Sequence, residues 1–106
     1  MPKYLMEVSY AADGVKGLMK DGGSKRRAVA DGLLQSLGGR IEAFYYAFGE
    51  TDVFVIADLP DNASAAAASL ALAGSGAVTN KVTVLLTPDE IDQAVKKGGT
   101  YTPPGR

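Results

Sequence analysis

Period-two alternation opens the chain. Between Lys3 and Tyr10, Tyr4, Met6, Val8 and Tyr10 fall on one face, which predicts a first strand. From Val15 to Leu37 the rhythm changes: apolar residues at 15, 18, 19, 29, 33, 34 and 37 mostly follow helical spacing. Asp21-Gly22-Gly23 interrupts that pattern with two poor helix formers, together costing about 2 kcal/mol relative to Ala in a helix interior. Two helical pieces are therefore expected, the second over 25–37 with Ser24 as N-cap and Gly38-Gly39 as its stop. Arg40 to Phe48 and Asp52 to Leu59 are β-branched and aromatic runs joined by Gly49-Glu50-Thr51, which predicts a hairpin of strands two and three. Pro60-Asp61 ends the third strand and offers Asp61 as N-cap to an Ala-rich helix closing near Gly74.

Alternation returns from Val78 to Leu86, where Val78, Val82, Val84 and Leu86 interleave with Thr79, Lys81 and Thr83, giving a fourth strand. Thr87-Pro88-Asp89-Glu90 has the offsets of a capping box with Pro in the first turn, so a short last helix follows. Residues 98–106, with adjacent Pro103 and Pro104, carry no periodicity and read as an extended or mobile tail after a domain of residues 1–97.

Strand, helix, strand, strand, helix, strand is the split βαβ order of an α+β, ferredoxin-like βαββαβ fold: a four-stranded antiparallel sheet with helices on one face. The other face then lacks cover. Strand three is apolar on both sides, with Val53, Val55, Ala57 and Leu59 opposite Phe54 and Ile56. Burial of apolar area yields about 25 cal/mol per Å², so such a face favours association. The pattern predicts a homodimer or larger assembly through the open sheet. The alternative is that the last helix or the tail folds over the open face within one chain.

Composition narrows the chemistry. A chain of 106 residues is one domain's worth and has little room for a deep private pocket. Eleven Lys and Arg against twelve Asp and Glu give no field that would select nucleic acid or an anionic membrane. Without Cys or His there is no disulfide, thiolate nucleophile or thiolate metal site, and the usual metal ligand is missing. No signal-peptide pattern and no long apolar run is present, which implies a cytoplasmic protein with no membrane partner.

The chain resembles the GYD domain family over about residues 3 to 97. The residues carrying the likeness are the opening strand ending in Tyr10, the Lys25-Arg26-Arg27 start of the long helix, Leu37-Gly38-Gly39, and Phe44-Tyr45-Tyr46-Ala47-Phe48-Gly49-Glu50-Thr51-Asp52. The Val53 to Leu59 strand and Pro60-Asp61 follow the same pattern. The name-giving Gly-Tyr-Asp stretch survives here only as Gly49, Glu50, Thr51 and Asp52, with Thr51 where the family has Tyr. The resemblance implies a ferredoxin-like fold related to dimeric α+β barrel proteins, and it supplies no catalytic residue.

Four residues are candidate ligand contacts: Tyr10, Tyr45 and Tyr46, which can position a planar ligand or donate to an oxyanion, and Asp52, which can accept a proton at a pocket mouth. Against these stand aromatic packing for the tyrosines and turn capping for Asp52. Lys25-Arg26-Arg27 can grip an anion, but on an exposed helix it reads as a solvated basic face. Gly74-Ser75-Gly76 is a turn, because a strand rather than a helix follows it. RNA-recognition domains share the strand order, yet Asp52 to Asp58 lacks the basic and aromatic residues that stack bases, so no nucleic acid is expected. Asp89, Glu90 and Asp92 suit a helix N-terminus, and neither a metal nor a cofactor is implied.

The leading reading is a homo-oligomeric domain, noncatalytic or weakly binding a small molecule at a subunit or sheet-helix pocket. A cofactor-independent isomerase or monooxygenase of dimeric α+β barrel type is the second, on fold analogy alone. A small-effector regulatory sensor is the third.

Overall fold

The computed structural model describes residues 1–106 and contains, in chain order, β1 (Lys3–Tyr10), α1 (Ala12–Asp21), α2 (Gly23–Ser36), β2 (Arg40–Tyr46), β3 (Val53–Asp58), α3 (Asn62–Gly74), β4 (Val78–Leu85) and α4 (Pro88–Lys97). All strand pairs are antiparallel and the sheet order is β2-β3-β1-β4, with β1 and β3 central, as a ferredoxin-like α+β fold requires. Register turns the alternation into apolar rows. Met6 lies opposite Val55 on one side and Val82 on the other, and Val55 lies opposite Phe44. Because side chains alternate across a strand, Tyr4, Met6, Val8, Val53, Val55 and Ala57 reach the same layer, where Leu34 of α2 and Ala65 and Ala68 of α3 close the core.

The break between the first two helices falls at Gly22, whose φ of +83° is open to glycine at little cost. Ser24 is not the N-cap: α2 starts at Gly23, earlier than the expected 25, and no side chain caps it. The glycine turn makes that earlier start possible, and Asp21 reaches across it to Lys25 at 3.6 Å and Arg26 at 3.5 Å. At the other end, Gly38 N–H donates to Gln35 O at 3.0 Å and Gly39 N–H to Leu34 O at 2.9 Å, the paired bonds of a Schellman stop. Asp61 caps α3 by accepting from Ser64 N–H at 2.8 Å, and Thr87 with Glu90 forms the expected capping box on α4.

β2 and β3 are shorter than their aromatic and β-branched runs. The ladder closes where Ala47 N–H donates to Asp52 O at 2.7 Å, which leaves Phe48 in the connecting loop and fully exposed. Further down β2, the register shifts between Ile41 and Ala43, so that Glu42 is the extra residue of a bulge.

The opposite sheet face is open. Phe54 and Tyr45 lie on it, 37 % and 70 % exposed. At its β1–β3–β2 end Asp58, buried in the sheet, accepts from Lys3 Nζ at 2.9 Å and Arg40 Nε at 3.1 Å, while Lys3 also pairs with Glu42 at 3.0 Å. The Lys3 hydrogen bond, with Arg40 adding to it, holds the Asp58 carboxyl below the usual carboxylate range against the cost of burial. The last helix does not cover this face, since α4 buries none of its residues. No helix is long and apolar enough to cross a membrane.

Candidate functional site

Two clefts meet at Tyr10. The first lies between the sheet and helices α2 and α3, with Met6, Val55 and Phe44 on its floor and Val29, Leu33 and Leu72 on its walls; its volume is about 110 Å³. Arg26 is the single charged residue that lines it. The second lies between α1 and the β2–β3 loop, bounded by Val15, Leu18, Tyr46, Phe48 and Asp52, with a volume of about 410 Å³. Small-molecule pockets run from about 300 to 1,000 Å³, so the second cleft has the room for a ligand and the first is sized as an apolar subsite.

Tyr10 reaches the junction because it is the last residue of β1 and shares the face of Met6 and Val8. Burial raises its phenol pKa, helped by the neighbouring Tyr46 phenol and opposed by the Arg26 charge. Tyr46, at the end of β2, packs edge-on to Phe44 with ring centroids 5.2 Å apart, and its hydroxyl donates to Gly23 O at 2.8 Å. Burial raises its pKa too, again against Arg26. Both phenols are therefore neutral at physiological pH. The Tyr46 proton is engaged by the start of α2, and the Tyr10 hydroxyl is turned toward the Tyr46 oxygen, so the two phenols form a pair at the junction in which Tyr10 is the donor.

Asp52 sits beside them with its hydrogen bonds committed to architecture. Its Oδ2 accepts from Tyr10 N–H at 2.7 Å, its own N–H donates to Val8 O at 2.9 Å, and its carbonyl receives Ala47 N–H. This arrangement ties the β2–β3 loop to the end of β1 and so fixes the wall of the second cleft. Ser9 adds a further tie from its hydroxyl to Glu50 O.

The structure thus brings three of the four sequence candidates together, Tyr10, Tyr46 and Asp52, and separates Tyr45, which points to the open face. Sequence reasoning set Arg26 aside as part of a solvated basic run, whereas Arg26 lies at the mouth of the first cleft. A signal was present: Arg26, Val29, Ala30, Leu33 and Leu34 repeat at i, i+3, i+4, i+7 and i+8, which puts Arg26 on the buried stripe of α2. Lys25 shares Asp21 with Arg26 but stays largely in solvent. No group of carboxylates converges closely enough to hold a metal ion, and Asp89 and Glu90 serve the first turn of α4.

An apolar slot with a guanidinium at its rim and a neutral phenol at the junction can hold a molecule with an apolar body and an acceptor or anionic head. The GYD domain family model matches residues 4–95 of the 106, which span every strand and most of α4. No curated protein matches the chain. No solved structure matches it either.

Proposed function

We propose that this chain, which belongs to the GYD domain family, is a homo-oligomeric binding domain for a small, mostly apolar molecule carrying a carboxylate or similar acceptor group. The observation that carries this reading is the junction at Tyr10, where an apolar cleft containing Arg26 as its one charge adjoins a roomier cleft. In this reading the apolar body enters between α2 and the sheet while the head accepts from Arg26 and the Tyr10 hydroxyl. Self-association through the open face is supported by Phe54 and Tyr45 on that face and by a thin core, with 12 of 106 residues buried.

The binding part is tested by amide chemical-shift titration with benzoate, hexanoate and their matching alcohols. Shifts concentrated at Tyr10, Arg26 and Val53 are expected. Arg26→Gln should weaken the acids by about 10-fold or more while changing the alcohols little, because a charge-assisted hydrogen bond is worth about 1.5–3 kcal/mol. Shifts clustered on the open sheet face, or equal weakening of acids and alcohols, would refute this placement of the head group.

A further inference from the structure

Helix α4 leaves the body with an apolar side and nothing to lay it on. Ile91 and Val95, one turn apart, are 48 % and 74 % exposed, and Leu86 just before the helix is 59 % exposed. A helix with a polar and an apolar side gains most of its stability by burying the latter. The radius of gyration is 16.9 Å, where about 13 Å is expected of a compact chain of this length. The longest extent is 57 Å, against 33 and 22 Å across.

The helix is not directed toward its own sheet. Only Leu86 and Thr87 separate the end of β4 from Pro88, and Thr87 is extended with φ −77° and ψ 159°. Its geometry is held by Thr87 N–H donating to Glu90 Oε1 at 3.0 Å and Glu90 N–H donating to Thr87 Oγ1 at 3.1 Å. With Thr87 held extended by that capping box and by the Pro88 that follows it, folding α4 back over the open face of the same chain would have to reverse the backbone at Leu86 alone.

The area of the open face points to what takes its place. Four strands at about 4.8 Å spacing and about seven residues long, at about 3.3 Å per residue, present a face of about 440 Å². A stable interface buries about 800 Å² of accessible surface per partner, and the flat footprint of the sheet is roughly half that figure. A ten-residue helix is about 15 Å long and about 10 Å wide, a footprint near 150 Å². In a twofold pair each copy gives one arm and receives one, which brings the total to about 740 Å² per partner and closes most of the gap.

We infer that α4 is an exchanged clasp, seated through Ile91 and Val95 on a second copy of this chain and completing the interface that the open sheet faces begin. The inference rests on the proposed self-association and goes beyond it by assigning the arm a place on the partner. It is tested on the full-length chain in two ways. An equal mixture of ¹³C-labelled and unlabelled protein, examined by isotope-filtered nuclear Overhauser spectroscopy, should give intermolecular contacts from the Ile91 and Val95 methyls. The double substitution Ile91→Glu plus Val95→Glu, measured by sedimentation equilibrium, should raise the dimer dissociation constant by at least about 100-fold, since four apolar side chains per dimer return to water. Circular dichroism serves as the folding control, and Ile91→Ser plus Val95→Ser is the milder second variant. A dimer of unchanged affinity with no methyl contacts across copies overturns the clasp and leaves self-association standing. A wild-type chain that is monomeric at micromolar concentration overturns both.

Discussion

Replacing Gly39 by Ala is the sharpest test of how the α2–β2 junction is built, because the obstacle there is space alone. Gly39 is not among the glycines of positive φ, so alanine can adopt its backbone conformation. A Cβ on it would sit 2.2 Å from the Asp58 carbonyl oxygen and 2.6 Å from Leu59 Cδ2, where ordinary contact begins near 3.4 Å. The first obstacle is backbone in a central strand and the second belongs to a side chain with no exposed surface. The end of α2 must therefore move away from β3 by more than about 1 Å, which loosens Leu59 and stretches the Gly39 N–H to Leu34 O bond. Forcing extra volume into a packed site costs about 1–3 kcal/mol. A weakened hydrogen bond adds about 0.5–1.5 kcal/mol, for a total of about 1.5–4.5 kcal/mol. At about 4 °C per kcal/mol for a domain of this size, the melting temperature should fall by about 6–18 °C. Gly32→Ala is the control of opposite sign: its Cβ meets nothing within 4 Å on an exposed side of α2, so stability should rise by about 0.5–1 kcal/mol. Urea titrations at one protein concentration, with the slope checked for constancy, measure both. A Gly39→Ala midpoint equivalent to less than about 0.5 kcal/mol from wild type would refute the reasoning, which rests on a bonded-strand oxygen that cannot step aside.

The Asp58 carboxyl, held below its ordinary range in the folded chain, contributes stability that is fully present above the unfolded value of about 3.9 and is lost as pH falls through the lower folded value. Urea midpoints should therefore drop as the pH is taken from 5 to below 4, and Asp58→Asn should shrink that drop without abolishing it, because Asp61 is also held low by the Ser64 N–H; parallel pH curves for the two proteins would sink the assignment. Asp52→Asn retains an oxygen for Tyr10 N–H and should stay near wild-type stability, whereas Asp52→Ala strips that donor of its partner and should cost about 1–2 kcal/mol in the same assay. Equal losses for the two variants would show that the Tyr10 contact is not what Asp52 contributes.

Much of the fold is legible because its signals are local. The even-numbered face of β1, the two-sided apolar pattern of β3, the Asp61 cap and the Thr87-Glu90 box are each written in residues no more than a few positions apart, and each forms as its spacing predicts. Helix α1 is less legible at its start: it begins at Ala12 behind Ala11, a residue with no capping side chain, so nothing in the sequence marks the entry. The ends of β2 and β3 are set by partners. Phe48 has strand composition, yet the bond from Ala47 to Asp52 closes the ladder before it.

The site divides along the same line. Period two alone places Tyr45 and Tyr46 on opposite faces, so a single cleft could never have used both, and helical phase alone turns Arg26 toward Val29 and Leu33. Those two distinctions were available from the sequence and concern neighbours on one element. The bond between Asp52 and the backbone of Tyr10 joins residues 42 apart, and the Tyr46 hydroxyl finds Gly23 across 23. No spacing rule reaches that far, because the distance is fixed only once β1, β3 and the first turn of α2 have docked. Asp52 shows the consequence for function. By residue type it is a candidate base, but docking commits one carboxylate oxygen to an amide and makes the residue a strut of the cleft. The architectural role that stood beside that candidacy is the one its bond to the Tyr10 N–H carries, and in the proposed reading recognition falls to the Tyr10 hydroxyl and to Arg26 across the first cleft.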